Sequence, residues 1–149
     1  MEESYAALES FLYKRRILVV EDEATIVVMT QMALGAVGCH VYLAQDMRRA
    51  HKLASTKNID CALLDIAIGD DDVFPVADIL VARSVPFVFS SGYDKEALPE
   101  HHRSCVILPK PYLFADAVRA LVAAMHPAAP TLESGDRPQA LIRALHPQA

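Results

Sequence analysis

Glu21, Asp22 and Glu23 follow directly on the apolar run ILVV at residues 17–20, and Asp65 follows ALL at 62–64. Ser90, Ser91 and Gly92 follow FVF at 87–89, and Pro109, Lys110 and Pro111 follow VIL at 106–108. If these runs are strands of one parallel sheet, all four ends lie on one edge. That is the edge at which open α/β sheets bind ligands, near the point where strand order reverses. Carboxylates, a hydroxyl and an ammonium then share one small pocket. Carboxylates this close repel one another, so some must take up protons or a cation must join them. Hard oxygen donors with few fixed positions suit Mg²⁺, which keeps several waters and accepts phosphate oxygens. A carboxylate beside Mg²⁺ and a lysine can attack a phosphoryl group, and a serine hydroxyl can hold one oxygen of the aspartyl phosphate so formed.

The elements that must position these groups are readable from periodicity. The four runs, with a fifth and weaker one at 41–44, are too short for helices and too continuous for half-exposed antiparallel strands. They read as strands buried on both faces. Helical spacing appears at 24–37, with Gly38 as a stop, and at 47–55 behind a candidate N-cap, Asp46. It appears again at 73–83 and at 113–125, where Pro127 ends the pattern. A helix at 94–101 is the weakest of the set because Pro99 falls inside it. Strand and helix alternate throughout, the mark of a doubly wound α/β fold. Residues 1–14 form an N-terminal extension, a short amphipathic helix through Tyr5, Leu8, Phe11 and Leu12 that serves either as a dimer arm or as a cover for apolar surface. Residues 15–126 form one domain, and residues 127–149 a Pro- and Ala-rich tail too short for a DNA-binding or catalytic output domain.

Composition removes several function classes. The 149 residues carry a formal net charge of −5, which offers no basic stripe for nucleic acid and no attraction to an anionic membrane surface. No apolar run approaches the roughly 20 residues that span a bilayer. The first ten residues, MEESYAALES, lack the basic flank and apolar stretch of a signal peptide. Cys39, Cys61 and Cys105 form no metal or redox spacing. A cytoplasmic protein is expected. No G-x-G-x-x-G follows any strand, against a dinucleotide or flavin site.

Four motifs, ILVVEDE (17–23), ALLDIAIGD (62–70), FSSGY (89–93) and LPKP (108–111), together resemble those of a response-regulator receiver domain over about residues 15–126. The resemblance implies a flavodoxin-like, CheY-like sheet of five parallel strands in the order 2-1-3-4-5. It makes Asp65 the phosphoacceptor, Lys110 the phosphate-pairing lysine and Ser91 the switch hydroxyl. Asp22 would ligate Mg²⁺ directly, Glu21 through a bound water, and Asp65 and the backbone carbonyl of Ala67 would complete the set. The Lys110–Pro111 bond is expected to be cis. The stretch PFVFSSGYDKEALP with ILPKPY is similar to the FAT GUY group of single-domain regulators, which lack an aromatic switch residue where this chain has Ile107. That likeness implies a histidine kinase of HWE or HisKA2 type as partner, with a phosphotransfer or effector protein downstream. The chain would be a phosphoacceptor catalysing only its own phosphorylation and dephosphorylation. Ala67 and Tyr93, two residues after the acceptor and the switch hydroxyl, imply slow attack by water on the phosphoryl group.

Two rival functions share the fold. A pseudo-receiver, an interaction module that is never phosphorylated, is disfavoured by the full set of acids, Ser91 and Lys110. A phosphatase of the haloacid dehalogenase type needs an acid two residues after its nucleophile, where this chain has Ala67. Other polar clusters have plainer readings. Glu23 is an acid favoured at a helix N-terminus. Asp70, Asp71 and Asp72 are a solvated loop capping the helix from Val73. His101 and His102 are a solvated loop without acid or Cys partners. Lys14, Arg15 and Arg16 are a polar lead into the first strand. Of Ser90 and Ser91, alternation lets only one point into the pocket.

Overall fold

Unbroken aliphatic runs become central strands because both of their faces are covered. The computed structural model describes residues 4–92 and 98–126. Its elements are α1 (Tyr5–Leu12), β1 (Arg16–Val20), α2 (Ala24–Val37), β2 (His40–Ala44), α3 (Met47–Thr56) and β3 (Cys61–Asp65). A ribbon of β4 (Ala67–Ile68) and β5 (Asp71–Asp72) follows, then α4 (Phe74–Ala82), β6 (Phe87–Ser91), β7 (Ile107–Pro109) and α5 (Phe114–Met125). Five strands form one parallel sheet in the order β2-β1-β3-β6-β7. Counted within that sheet the order is 2-1-3-4-5, as expected.

Alternation along each strand divides the core into two layers. Leu18, Val20, Leu64 and Phe89 face α3 and α4, where they meet Leu53, Ala77 and Leu80. Ile17, Val19, Leu63, Val88 and Leu108 face the other way, toward Leu34 of α2 and Val118 and Leu121 of α5. Helix α1 lies on this second layer against α5 and buries Leu8 and Leu12, with Tyr5 and Phe11 partly covered. The N-terminal helix is thus a cover for the core.

Local chemistry sets the boundaries. Asp46 caps α3, its carboxylate accepting from the Arg49 N–H at 2.8 Å. Gly38 ends α2 in the left-handed region at φ +96°, which lets the Cys39 N–H return to the Leu34 carbonyl at 3.0 Å. The start of β1 is clamped to the start of β3. Asp60 accepts from the Arg16 backbone N–H at 2.7 Å and from its guanidinium at 3.2 and 3.3 Å, while the Asp60 N–H donates to the Arg16 carbonyl.

Two expectations require correction. Asp71 and Asp72 pair antiparallel with Ile68 and Ala67 rather than forming an open loop, and no acidic side chain caps α4, whose first turn carries Pro75. Gly69, at φ +59°, opens the two-residue hairpin loop, a position that favours glycine. Of the expected helix at 94–101, residues 94–97 lie outside the described residues, and a 3₁₀ turn spans Glu100–His102. Residues 93–97 and the tail at 127–149 lie outside the described residues.

Two predictions follow from these boundaries. Gly38→Ala places a non-glycine residue at φ +96° with its Cβ 2.5 Å from Tyr13 Cδ1, and urea unfolding should show a loss of about 1–2 kcal/mol. For Asp60, burial favours the neutral form, but the hydrogen bonds and charge of Arg16 outweigh it and hold the carboxyl below its usual 3.8. A depressed carboxyl stabilises the fold above its ordinary value, and that contribution is lost as pH falls through the folded one. Asp60→Asn should therefore be less stable than the parent at pH 7, with the gap closing as unfolding is followed down through pH 4 and below.

Candidate functional site

Strand β1 stops where its sequence changes from valine to acid. The Glu21 N–H extends the sheet by one bond to the Ala44 carbonyl, 3.0 Å, and α2 begins three residues later. Glu21 is 3 % exposed, and one of its oxygens accepts from the Glu23 N–H at 3.1 Å. Asp65 ends β3 and is 7 % exposed. The Lys110 N–H bonds the Ser91 carbonyl at 2.9 Å, setting the stem of the lysine against the end of β6. Its ammonium then lies 3.0 Å from Asp65 Oδ2 and 3.1 Å from Glu21 Oε1. The Lys110–Pro111 peptide is cis.

Asp22 is exposed and turned toward the loop after β3, where its carboxylate accepts the Gly69 N–H at 2.7 Å. One oxygen each from Glu21, Asp22 and Asp65 lies within 4.8 Å of the others. Two of these carboxylates, Glu21 and Asp65, therefore share one ammonium, with Asp22 alongside. Burial, then the hydrogen bond and charge of Asp65, push the Glu21 carboxyl up to about 7, against the pull of the Glu23 N–H and Lys110. Burial opposes charge on Lys110, but Asp65 and Glu21 outweigh it and hold the ammonium above its usual range. This concentration of hard oxygen donors, short of positive charge, fits a small divalent cation such as Mg²⁺.

No protein-family model matches the sequence, and no curated protein matches it. Among solved structures, the chain is similar to a CheY-like response regulator receiver domain protein from Methanospirillum hungatei JF-1. The TM-score is 0.69 at 18% identity, covering 76% of this chain and 95% of that one. This is a receiver-domain fold. It is similar as well to SdrG from Sphingomonas melonis Fr1, with TM-score 0.64 and 32% identity over 75% of this chain and 96% of that one. A third likeness is to a Burkholderia pseudomallei response regulator with a phosphorylated aspartic acid, calcium ion and citrate, at TM-score 0.63 and 20% identity over 85% of this chain and 72% of that one.

On this receiver fold, Glu21, Asp22, Asp65 and Lys110 come together. Ser90 is the register partner of Asp65, and Ser91 stands one residue farther out, opposite Pro109. Both serines are buried, at 1 % and 2 % exposure. Ala67 opens the ribbon, paired with Asp72, two residues after Asp65. Ile107 is buried beside Phe89 in the α3–α4 layer. Asp70, Asp71 and Asp72 are exposed and outside the carboxylate group. Gly69 was missed as a site residue. Its signal was the single glycine in IAIGD, at the spot where a tight turn brings backbone back toward the first strand's acids.

The His101–His102 reading is overturned. His102 is 1 % exposed, and both imidazoles meet the carboxylate of Asp78 on α4. The acid partner is 23 and 24 residues away in sequence, which is why local spacing could not reveal it.

Removing the ammonium from between two buried carboxylates leaves their repulsion uncompensated. Lys110→Met should lower stability by about 1–3 kcal/mol in metal-free buffer, and added Mg²⁺ should recover part of that loss in the same urea titration.

Proposed function

We propose that the chain is a response regulator that accepts a phosphoryl group on Asp65 from a histidine kinase, in a Mg²⁺-dependent reaction. The observation that carries this reading is the ammonium of Lys110 bonded to Asp65, with Glu21 and Asp22 alongside. A charged lysine on a would-be nucleophile is useful when the incoming group is itself anionic. The phosphorylated aspartic acid of the Burkholderia structural neighbour supports the same assignment.

The roles follow from the positions. An oxygen of Asp65 attacks phosphorus, and the P–N bond to the donor imidazole breaks with its electron pair leaving on the imidazole. Lys110 pairs with one phosphoryl oxygen, and the Ser91 hydroxyl donates to another. Asp22, Asp65, the Ala67 carbonyl and, through water, Glu21 would hold Mg²⁺, which when bound supplies positive charge to the phosphoryl oxygens. Ala67 has no polar side chain with which to orient an attacking water, so hydrolysis of the phosphoaspartate is slow. The chain performs no chemistry on another substrate.

Partner binding has a candidate face next to this site. Val28, Met29 and Met32 of α2 are 53 %, 64 % and 71 % exposed. Met29 also lines a groove of about 480 Å³ that runs past Glu23, Lys110, Tyr112 and Phe114. Apolar side chains exposed beside a phosphoacceptor suit a protein partner that must bring its phosphoryl group close. The motif likeness points to the FAT GUY group and a kinase of HWE or HisKA2 type. The role downstream is that of a switch, a relay to a phosphotransfer protein, or a sink. No helix among the described residues is long and apolar enough to cross a membrane, and the reading places the protein in the cytoplasm.

Intact mass after incubation with acetyl phosphate tests the assignment. One adduct of about 80 Da per chain, dependent on Mg²⁺ and absent in Asp65→Asn, is the expected result. An adduct that survives in Asp65→Asn, or none from either acetyl phosphate or a phosphorylated kinase, would overturn the reading in favour of a pseudo-receiver. The phosphoprotein should persist after the donor is removed. Decay within seconds in Mg²⁺ would count against the role given to Ala67.

A further inference from the structure

The 3₁₀ turn at Glu100–His102 is braced by its own backbone, the His102 N–H bonding the Pro99 carbonyl at 2.9 Å and the Cys105 N–H the His102 carbonyl at 3.0 Å. Two successive residues of a turn ordinarily point apart, yet here both imidazoles reach the same atom. Asp78 Oδ1 lies 3.0 Å from His101 Nε2 and 2.9 Å from His102 Nε2. The ring of His102 sits among Phe74, Phe87 and Phe89, with centroids 5.9, 6.0 and 5.6 Å away. Its Nε2 faces the one side that Asp78 closes. Its Nδ1 is 3.9 Å from Cys105 Sγ.

We propose that Asp78, His101 and His102 form a second metal site, selective for a borderline divalent transition ion such as Zn²⁺ and separate from the carboxylate pocket at the strand ends. Two imidazole nitrogens and one carboxylate oxygen are a donor set that Zn²⁺ takes, leaving a fourth position for water. Tetrahedral Zn²⁺ at about 2.0–2.1 Å from each donor needs the donors about 3.3 Å apart, so each imidazole–carboxylate separation must open by only a few tenths of an ångström from 3.0 and 2.9 Å, within a donor set that lies inside 4.8 Å. His101 and Asp78 are exposed and free to make that adjustment, with side chains 62 % and 55 % accessible. His102 is fixed by its aromatic surroundings. Binding through Nε2 puts the proton on Nδ1, where Cys105 Sγ is a weak acceptor, the kind of outer partner that orients a ligating histidine.

Donor softness separates the two sites. Imidazole favours Zn²⁺ over Mg²⁺, whereas an all-oxygen pocket suits Mg²⁺. An ion held here ties the 3₁₀ turn to α4. Phe89, which touches the His102 ring, is two residues before Ser91 on the same strand. The inference rests on the side-chain geometry of this cluster and not on the phosphoacceptor assignment.

The test is a Zn²⁺ titration of the tag-free full chain in excess Mg²⁺, read by competition with a chromogenic chelator, with Co²⁺ absorption as a second readout. One Zn²⁺ per chain is expected, with the visible absorption of four-coordinate Co²⁺. His101→Ala, an exposed change that leaves the core untouched, and Asp78→Asn should each weaken binding by about tenfold or more. Asp22→Asn should leave it unchanged. No uptake in the presence of Mg²⁺, or uptake indifferent to His101→Ala, would overturn the proposal. Loss in Asp22→Asn alone would do the same, by placing the ion among the carboxylates.

Discussion

Lys110 holds its ammonium within 3.1 Å of two carboxylates that are almost wholly removed from water, and the arrangement of the sheet edge answers to that arrangement of charge. Glu21 directly follows β1 and Asp65 ends β3, and these adjacent parallel strands are in register up to Val20 and Leu64, so the two acids are brought close by the sheet and not by a loop. The lysine must then arrive from the far side of β6, which it does through a backbone bond to Ser91. One ammonium faces two buried carboxylates with a third alongside, and burial first, then the hydrogen bond and charge of Asp65, hold the Glu21 carboxyl up to about 7. A fold made only for stability would replace such a cluster with apolar side chains. Its presence at the edge where open α/β sheets bind ligands is the physical sign that something cationic or phosphorylated belongs there.

The loop after β3 extends the same logic. Asp22 is exposed, and its carboxylate could turn to solvent, but the Gly69 N–H holds it toward the pocket at 2.7 Å. Gly69 can do this because the hairpin of β4 and β5 turns there with positive φ. The ribbon is short, and its far end is fastened by the Val73 N–H on the Ile66 carbonyl, 2.8 Å. A loop that follows Asp65 by one residue is thus returned to the core immediately, which leaves Ala67 next to the site with little backbone freedom.

The parallel sheet was legible because its strands are aliphatic on both faces, and α2 because Gly38 and the acids at 21–23 mark its two ends. The converging site was legible for a related reason, since Glu21, Asp22, Asp65, Ser91 and Lys110 each terminate or follow a strand. What local pattern could not supply was pairing at a distance. Asp71 and Asp72 have poor strand propensity and are in a ribbon only because Gly69 turns the chain back on Ala67 and Ile68. His101 and His102 look solvated beside Glu100, and only the packing of α4 brings Asp78 to them while three phenylalanines close over one ring. In both cases a polar residue's environment was set by an element elsewhere in the chain.

Phosphorylation of Asp65 would replace its carboxylate charge with an acyl phosphate of about −1.5 to −2, a net gain of about 0.5 to 1 negative charge at an edge already short of cations. The structure limits how that charge can be felt elsewhere. Ile107 is buried and aliphatic, so no ring at that position can swing between an inward and an outward state. The strand that carries Ser91 also carries Phe89, whose ring packs edge-on against Phe74, Phe87 and His102. Any movement of Ser91 toward a phosphoryl oxygen pulls on a strand whose next inward aromatic is wedged between α4 and the 3₁₀ turn. Glu100 follows Ser91 by only nine positions; Ser91 is held by the sheet, and the turn that begins at Glu100 is held by Asp78 through the two histidines. Strength at the contact of Asp78 with the two histidines therefore sets how firmly the 3₁₀ turn, and with it the Phe89 ring, is held to α4.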